Sequence, residues 1–184
     1  QRNAKRQLRL LYRTLETTDL HQRYWVIAGM LLGWIREQRI LPSDCFDFDF
    51  AFRAEDSEKM RDAIPVLAGA GFKLKNCKRT NDGEVVMYRF VRGLVMFEFF
   101  RTEQYGDRLR HFNFVVREGV HYIMTKELSD GGLVADSFLG MPWMRPENAE
   151  QQLTETYGAW QTPDPNWDYF CDERCTVETA FSQG

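Results

Sequence analysis

The clearest pattern along the chain is the alternation in "SDCFDFDFAF" at 43–52, where Phe46, Phe48, Phe50 and Phe52 interleave with Cys45, Asp47, Asp49 and Ala51. A period of two marks a β-strand with one face on the core and one on polar surroundings. The phenylalanines claim the core face, so Asp47 and Asp49 share the other, roughly 7 Å apart on the pleat. Upstream, Leu8, Leu11, Tyr12 and Leu15 recur at helical spacing and predict an amphipathic helix over 3–20. "YWVIA" at 24–28 reads as a short strand ended by Gly29, and "MLLGWIREQR" at 30–39 as a helix. After the acidic strand, Glu55 and Asp56 favour the start of a second long helix to about Ala70, with Pro65 expected to kink or interrupt it.

The period then changes. "FKLKNCK", "VVMYRFV", "LVMFEFF" and "RLRHFNFVV", separated by the turn sequences "TNDGE", "RG" and "QYGD", predict a meander of about four strands. "SDGG" at 129–132 punctuates the chain again. Pro146 fits the first turn of a short helix for which Gly158 is the natural C-terminal cap. From about 159 the Pro- and aromatic-rich remainder reads as an irregular tail wrapping the surface. With no repeat, low-complexity segment or linker in 1–184, the expectation is a single α+β domain.

Composition narrows the function. With 43% hydrophobic and 14% aromatic residues in 184, the chain has the means to build a real core. Lys plus Arg number 24 against 27 Asp plus Glu, and a net charge of -3 argues against a general nucleic-acid binder. Basic residues gather at Arg2, Lys5, Arg6, Arg9 and Arg13 and again at Lys73, Lys75, Lys78 and Arg79, runs that solvated faces usually explain. No apolar run approaches the roughly 18 residues of a membrane span, and no signal peptide is recognisable. The chain opens on Gln rather than Met, so any anchor belongs outside it. Four cysteines (Cys45, Cys77, Cys171, Cys175) do not make a disulfide-dense scaffold, although Cys171 and Cys175 in "CDERC" can bridge each other or contribute to a metal site.

The candidate chemistry lies in the carboxylates. Two like charges on one strand face repel, and burial sharpens the repulsion. A cation between them relieves it, and adjacent carboxylates with phosphate oxygens make the usual cradle for Mg²⁺. The competing reading is the solvent-facing side of an edge strand. Two neighbours favour the site. The strand–Gly29–helix segment aims backbone N–H groups at an anion, with Arg36 further along the helix. Glu98 in "LVMFEFF" shares a strand face with Leu94, Met96 and Phe100, where a carboxylate must be paired or metal-bound. Its alternative is an ion pair with Arg89 or Arg110. Three acidic residues on two strands beside a helix N-terminus describe a Mg²⁺- or Mn²⁺-dependent phosphoryl-transfer site. Around it, Asp44 reads as an extra ligand or a turn residue, and Cys45 lacks the surroundings of a nucleophile. His111 and His121 are weighed as general bases against ordinary core or surface histidines. Trp143, Trp160 and Trp167 read as packing residues, any one of which can stack on a base, and Arg145 is a candidate phosphate contact.

The stretch "AGMLLGWIREQRILPSDCFDFDFAF" resembles the signature of the LicD/fukutin family, on Gly29, Leu32, Gly33, Arg36, Leu41-Pro42 and Asp47-Phe48-Asp49. "FEFF" resembles the family's strand with a third carboxylate at Glu98, and Phe138, Gly140, Pro146, Leu153, Tyr157, Gly158 and Pro163 resemble its C-terminal signature. Trp34 after Gly33 looks closer to the fukutin and fungal branches than to the bacterial one. The resemblance implies a nucleotidyltransferase-like mixed sheet flanked by helices. It implies transfer of a phosphorylated alcohol or sugar phosphate from a nucleotide-linked, CDP-type donor to a glycan hydroxyl. Asp47, Asp49 and Glu98 would then be the catalytic and metal residues, and Gly29, Met30 and Arg36 the donor-phosphate contacts. Met30 stands where the superfamily usually has Ser or Thr, and one extra residue separates Pro42 from Asp47. These departures keep a non-catalytic nucleotide- or glycan-binding member, assisting a partner enzyme, as the alternative. The fukutin-like flavour points to the Golgi or secretory lumen of a eukaryote.

Overall fold

A computed structural model describes residues 2–80, 83–117, 120–167 and 176–178, with only the backbone described at 115–117, 120–121 and 176–178. Helix α1 (Arg2–Leu15) buries Ala4, Gln7, Leu8, Leu11, Tyr12 and Leu15, the stripe its periodicity predicts. It stops short of residue 20. The hydroxyls of Thr17 and Thr18 donate to the carbonyls of Thr14 and Leu15 at 2.7 and 2.8 Å, which favours turns over a further helical turn. Strand β1 (Tyr24–Val26) leads into α2 (Ala28–Glu37), so Gly29 lies inside the first helical turn instead of ahead of it. Ala28 takes a left-handed φ of 51°, a conformation that costs a residue with a Cβ and that makes the sharp strand-to-helix turn.

Strand β2 (Asp47–Arg53) holds the two aspartates, antiparallel to β1 and parallel to β5 (Val95–Tyr105). The acidic strand is therefore central, not an edge. Phe48, Phe50 and Phe52 are fully buried, but Phe46 falls before the strand and is 53% exposed. After a 3₁₀ turn at Ala54–Asp56, α3 (Ser57–Gly69) continues without interruption across Pro65. Pro65 and Arg61, whose carbonyl loses its donor, are both exposed, so water can take that donor's place.

The meander has five strands rather than four: β3 (Lys73–Arg79), β4 (Val85–Arg92), β5, β6 (Arg108–Arg117) and β7 (Val120–Ser129). The β7 sequence sets Tyr122, Ile123 and Met124 side by side and so breaks the alternation that reveals a strand. One edge of β5 pairs with β2, while the other is shared by β4 along 95–100 and β6 along 102–105. A separate hairpin, β8 (Leu133–Phe138) and β9 (Met141–Pro146), turns at Leu139 and Gly140 with φ of 55° and 78°, a pair of left-handed residues that suits a two-residue hairpin turn. Pro146 thus ends a strand; α4 (Ala149–Tyr157) begins after it, and Gly158 with φ 68° caps it as expected. Strand β10 (Thr176–Glu178) pairs with β7.

The core sits on the phenylalanine face of the sheet, in one cluster with α1 and α3. Phe50 stacks on Phe99 at 5.1 Å and on Trp143 at 5.6 Å, and Tyr24 meets Phe50 edge-on at 5.7 Å. With that face filled by aromatics, the polar residues of β2 and β5 are left on the opposite face.

Candidate active site

Parallel pairing sets Asp49 beside Glu98 and Asp47 beside Met96. The three carboxylates of Asp47, Asp49 and Glu98 each offer an oxygen within 4.8 Å of the others. Glu98 is only 8% exposed, and antiparallel pairing on its other side aligns it with Arg89, whose Nε donates to Glu98 Oε1. The two readings of Glu98 are therefore both realised: it pairs with Arg89 through one oxygen and completes the carboxylate cluster. Arg110 is engaged elsewhere, over the Tyr105 ring at 3.8 Å and with Glu127 at 3.5 Å.

Burial, then the negative charge of Glu98, pushes the Asp47 carboxyl up to about 6, with Arg89 acting in the opposite direction. Burial, followed by the charges of Asp47 and Glu98, holds Asp49 well above the usual carboxylate range. Asp47 Oδ1 is buried without a hydrogen-bond partner among the described residues. Crowded, desolvated carboxylates with an unsatisfied oxygen are what a hard divalent cation would satisfy, and an all-oxygen donor set suits Mg²⁺ or Mn²⁺. The residues fit the ion.

The N-terminus of helix α2 lines the same cavity as this cluster, tied to β2 by Ile27 N–H donating to the Asp49 carbonyl at 3.1 Å. Asp44, at the end of the Pro42–Asp44 turn, lies directly over Gly29: a Cβ there would come within 2.1 Å of Asp44 Oδ2. A side chain at 29 would therefore have to displace the Asp44 carboxyl. Asp44 Oδ2 is buried with no hydrogen-bond partner among the described residues, and burial raises its pKa. The carboxyl thus lies beside the first turn of α2. Met30 is 1% exposed and packs in the core cluster, so any phosphate contact it makes falls to its backbone N–H. Arg36 lines the cavity, with Nη1 on the Trp160 carbonyl at 3.1 Å and Nη2 on Glu37 at 2.9 Å.

Around the carboxylates opens a cavity of about 850 Å³, lined by Gly29, Arg36, Asp44, Asp47, Asp49, Glu98 and residues of β6, β7, α4 and the segment after it. Leu31, Leu32, Leu41 and Leu128 supply apolar wall, and Tyr157, Trp160 and Trp167 an aromatic one. Trp160 and Trp167 therefore border the cavity, whereas Trp143 is core. Arg145 binds Asp136 at 2.9 Å outside the lining, and Cys45 packs against the core. The His121 side chain, Cys171 and Cys175 lie outside the described residues.

Sequence reasoning missed Asn113 and Lys126. Pairing aligns Thr102 with His111 and His111 with Lys126, which brings this group to the same sheet face and the same cavity. Lys126 is 4% exposed and donates to the Thr156 carbonyl at 3.2 Å. Burial and then the Lys126 charge pull His111 down to about 4, so it is neutral near pH 7. A lysine within a β-strand was the available signal, but the strand itself was not recognised.

No curated protein matches the chain. A solved structure, the "Crystal Structure of ANT(2")-Ia in complex with adenylyl-2"-tobramycin", is similar in fold, with a TM-score of 0.52 at 15% identity over 88% of this chain and 81% of that one. The family model "LicD/FKTN/FKRP, nucleotidyltransferase domain" matches residues 21–131, which span α2, the acidic strand, Glu98 and Lys126. The strand-borne carboxylates beside a helix N-terminus are thus set in a recognised frame: an α+β, nucleotidyltransferase-like chain that belongs to the LicD/FKTN/FKRP family.

Proposed function

We propose that the protein is a metal-dependent transferase that moves a phosphorylated alcohol or sugar phosphate from a CDP-linked donor to a glycan hydroxyl. The observation that carries this reading is the set of three carboxylates within 4.8 Å of one another, lining a cavity of about 850 Å³. Asp47, Asp49 and Glu98 would hold Mg²⁺ or Mn²⁺, and the ion would neutralise charge on the donor pyrophosphate. The free N–H groups of Gly29 and Met30 and the Arg36 guanidinium would bind donor phosphate, once Asp44 swings off Gly29. Trp160 and Tyr157 offer faces for a nucleobase. Glu98 would complete the metal site or position the acceptor hydroxyl. As the acceptor oxygen bonds to phosphorus, the bond from phosphorus to the oxygen of the nucleoside monophosphate breaks, and the hydroxyl proton passes to water. In-line displacement of this kind asks of the protein mainly position and charge neutralisation. The fukutin-like Trp34 favours a eukaryotic secretory compartment.

Asp47→Asn and Asp49→Asn are expected to abolish turnover of CDP-alcohol donors while leaving the far-UV spectrum unchanged; full activity in both sinks the assignment. A second reading, a non-catalytic binder that assists a partner enzyme, is favoured by Asp44 seated over Gly29 and by Met30 turned into the core. Calorimetry with CDP separates the two. Binding that requires Mg²⁺ supports the donor site, and absence of binding at millimolar CDP supports the second reading.

A further inference from the structure

Beyond Glu98, the carboxylate face of the sheet continues onto β4 and β3. Pairing aligns Glu98 with Arg89 and Arg89 with Asn76, and likewise Phe100 with Met87 and Met87 with Lys78. Directly opposed residues share a face, so Asn76, Lys78 and Arg89 flank the acid cluster on the side away from the cavity. Arg89 commits Nε to Glu98, and its two terminal amino groups have no partner among the described residues. The Lys78 side chain has no hydrogen-bond or ion-pair partner among the described residues. Burial, then the charge of Arg89, lowers its pKa, while Glu98 acts to raise it. Asn76 Oδ1 is buried without a partner among the described residues.

Two partly desolvated cations on adjacent strands repel, for the same reason that Asp47 and Asp49 do, and a ligand of opposite sign relieves them. The guanidinium edge left over from the Glu98 contact is a planar pair of donors, a shape that suits two oxygens of one phosphate. Asn76 Oδ1 adds an acceptor for a hydroxyl beside it. We propose that Lys78 and Arg89 form a phosphate-binding subsite next to the carboxylate cluster and outside the cavity. The source of the phosphate rests on the transferase reading: it is either the donor's pyrophosphate reaching across Glu98, or a phosphate already carried by the acceptor.

Titration with inorganic phosphate in the absence of metal, followed by calorimetry, tests the subsite. Lys78→Gln should weaken binding about tenfold and Arg89→Lys, which keeps the charge but loses the fork, several-fold. Lys73→Gln, an exposed lysine on the same strand, should leave it unchanged. Equal weakening by Lys73→Gln and Lys78→Gln, or no weakening by Lys78→Gln, overturns the proposal, the first because it would reveal only a diffuse attraction. CDP titrated with Mg²⁺ then assigns the source. Weakening in Lys78→Gln identifies a donor phosphate, and unchanged CDP affinity identifies an acceptor phosphate. Asp49→Asn should lose metal-dependent CDP binding yet keep metal-free phosphate binding, so the subsite and the transferase reading fail separately.

Discussion

Asp49 is confined among Asp47, Glu98 and the start of α2, and its carboxylate form is opposed by burial and by both neighbouring charges. Replacing it with Asn removes that opposition without changing the shape of the side chain. Asp49→Asn should therefore raise the metal-free stability by on the order of 1–2 kcal/mol, read as a higher Tm in EDTA. The native protein should in turn gain about 2.7 kcal/mol from Mn²⁺ at a hundredfold excess over its dissociation constant, and the variant should gain nothing. A lower Tm of the variant in EDTA would show that the carboxylates do not strain one another. Glu98 is the less informative position, since Glu98→Gln relieves the same crowding but also deprives Arg89 of its partner.

His111 makes an independent prediction. Its folded-state value near 4 lies below the ordinary 6.5, so the unfolded chain takes up the proton first as the pH falls. Stability is complete above about 6.5 and is lost progressively as the pH drops to about 4, by roughly 2–3 kcal/mol at most. His111→Gln should flatten the pH dependence of urea unfolding across that window. An unchanged slope would mean that the ring is protonated in the folded protein.

At the scale of elements, α2 shows why a glycine-rich helix is needed. Gly33 faces the chain that returns toward the acidic strand, and a Cβ there would meet the Arg39 carbonyl oxygen at 2.5 Å and Leu41 Cγ at 3.0 Å. Backbone cannot yield as a flexible side chain can. Gly33→Ala is expected to destabilise by about 2 kcal/mol in thermal unfolding, although alanine is the better helix former by about 1 kcal/mol. A more stable variant would place the 39–41 segment further from the helix. The two glycines of the helix thus serve packing at Gly33 and the approach of Asp44 at Gly29. Elements whose signals were local were legible: the stripe of α1, the alternation of β2 and the Gly158 cap. Strand β7 was not, because neighbouring apolar residues fill both of its faces and erase the period. Pro65 does not interrupt the helix, because the helix is exposed there and the orphaned carbonyl can face water.

For the molecule as a whole, the amino-acid sequence determined the aromatic face, the pair of aspartates on its reverse, and the isolation of Glu98 among apolar neighbours. These follow from period and composition, which act over a few residues. That β2 lies in the interior of the sheet, parallel to β5, is a long-range matter, and it alone brings Glu98 beside Asp49 across about fifty positions of chain. Pairing register likewise decided that Arg89 would neutralise one side of Glu98, that Lys78 would stand beside Arg89, and that Lys126 would share a cavity with the carboxylates. Strand order and register are set by how whole faces bury against one another, a sum over many weak contacts to which no short stretch holds the key. The chemical groups of the site were therefore readable from the chain, while their distances, and the charges they feel, exist only once the sheet has formed.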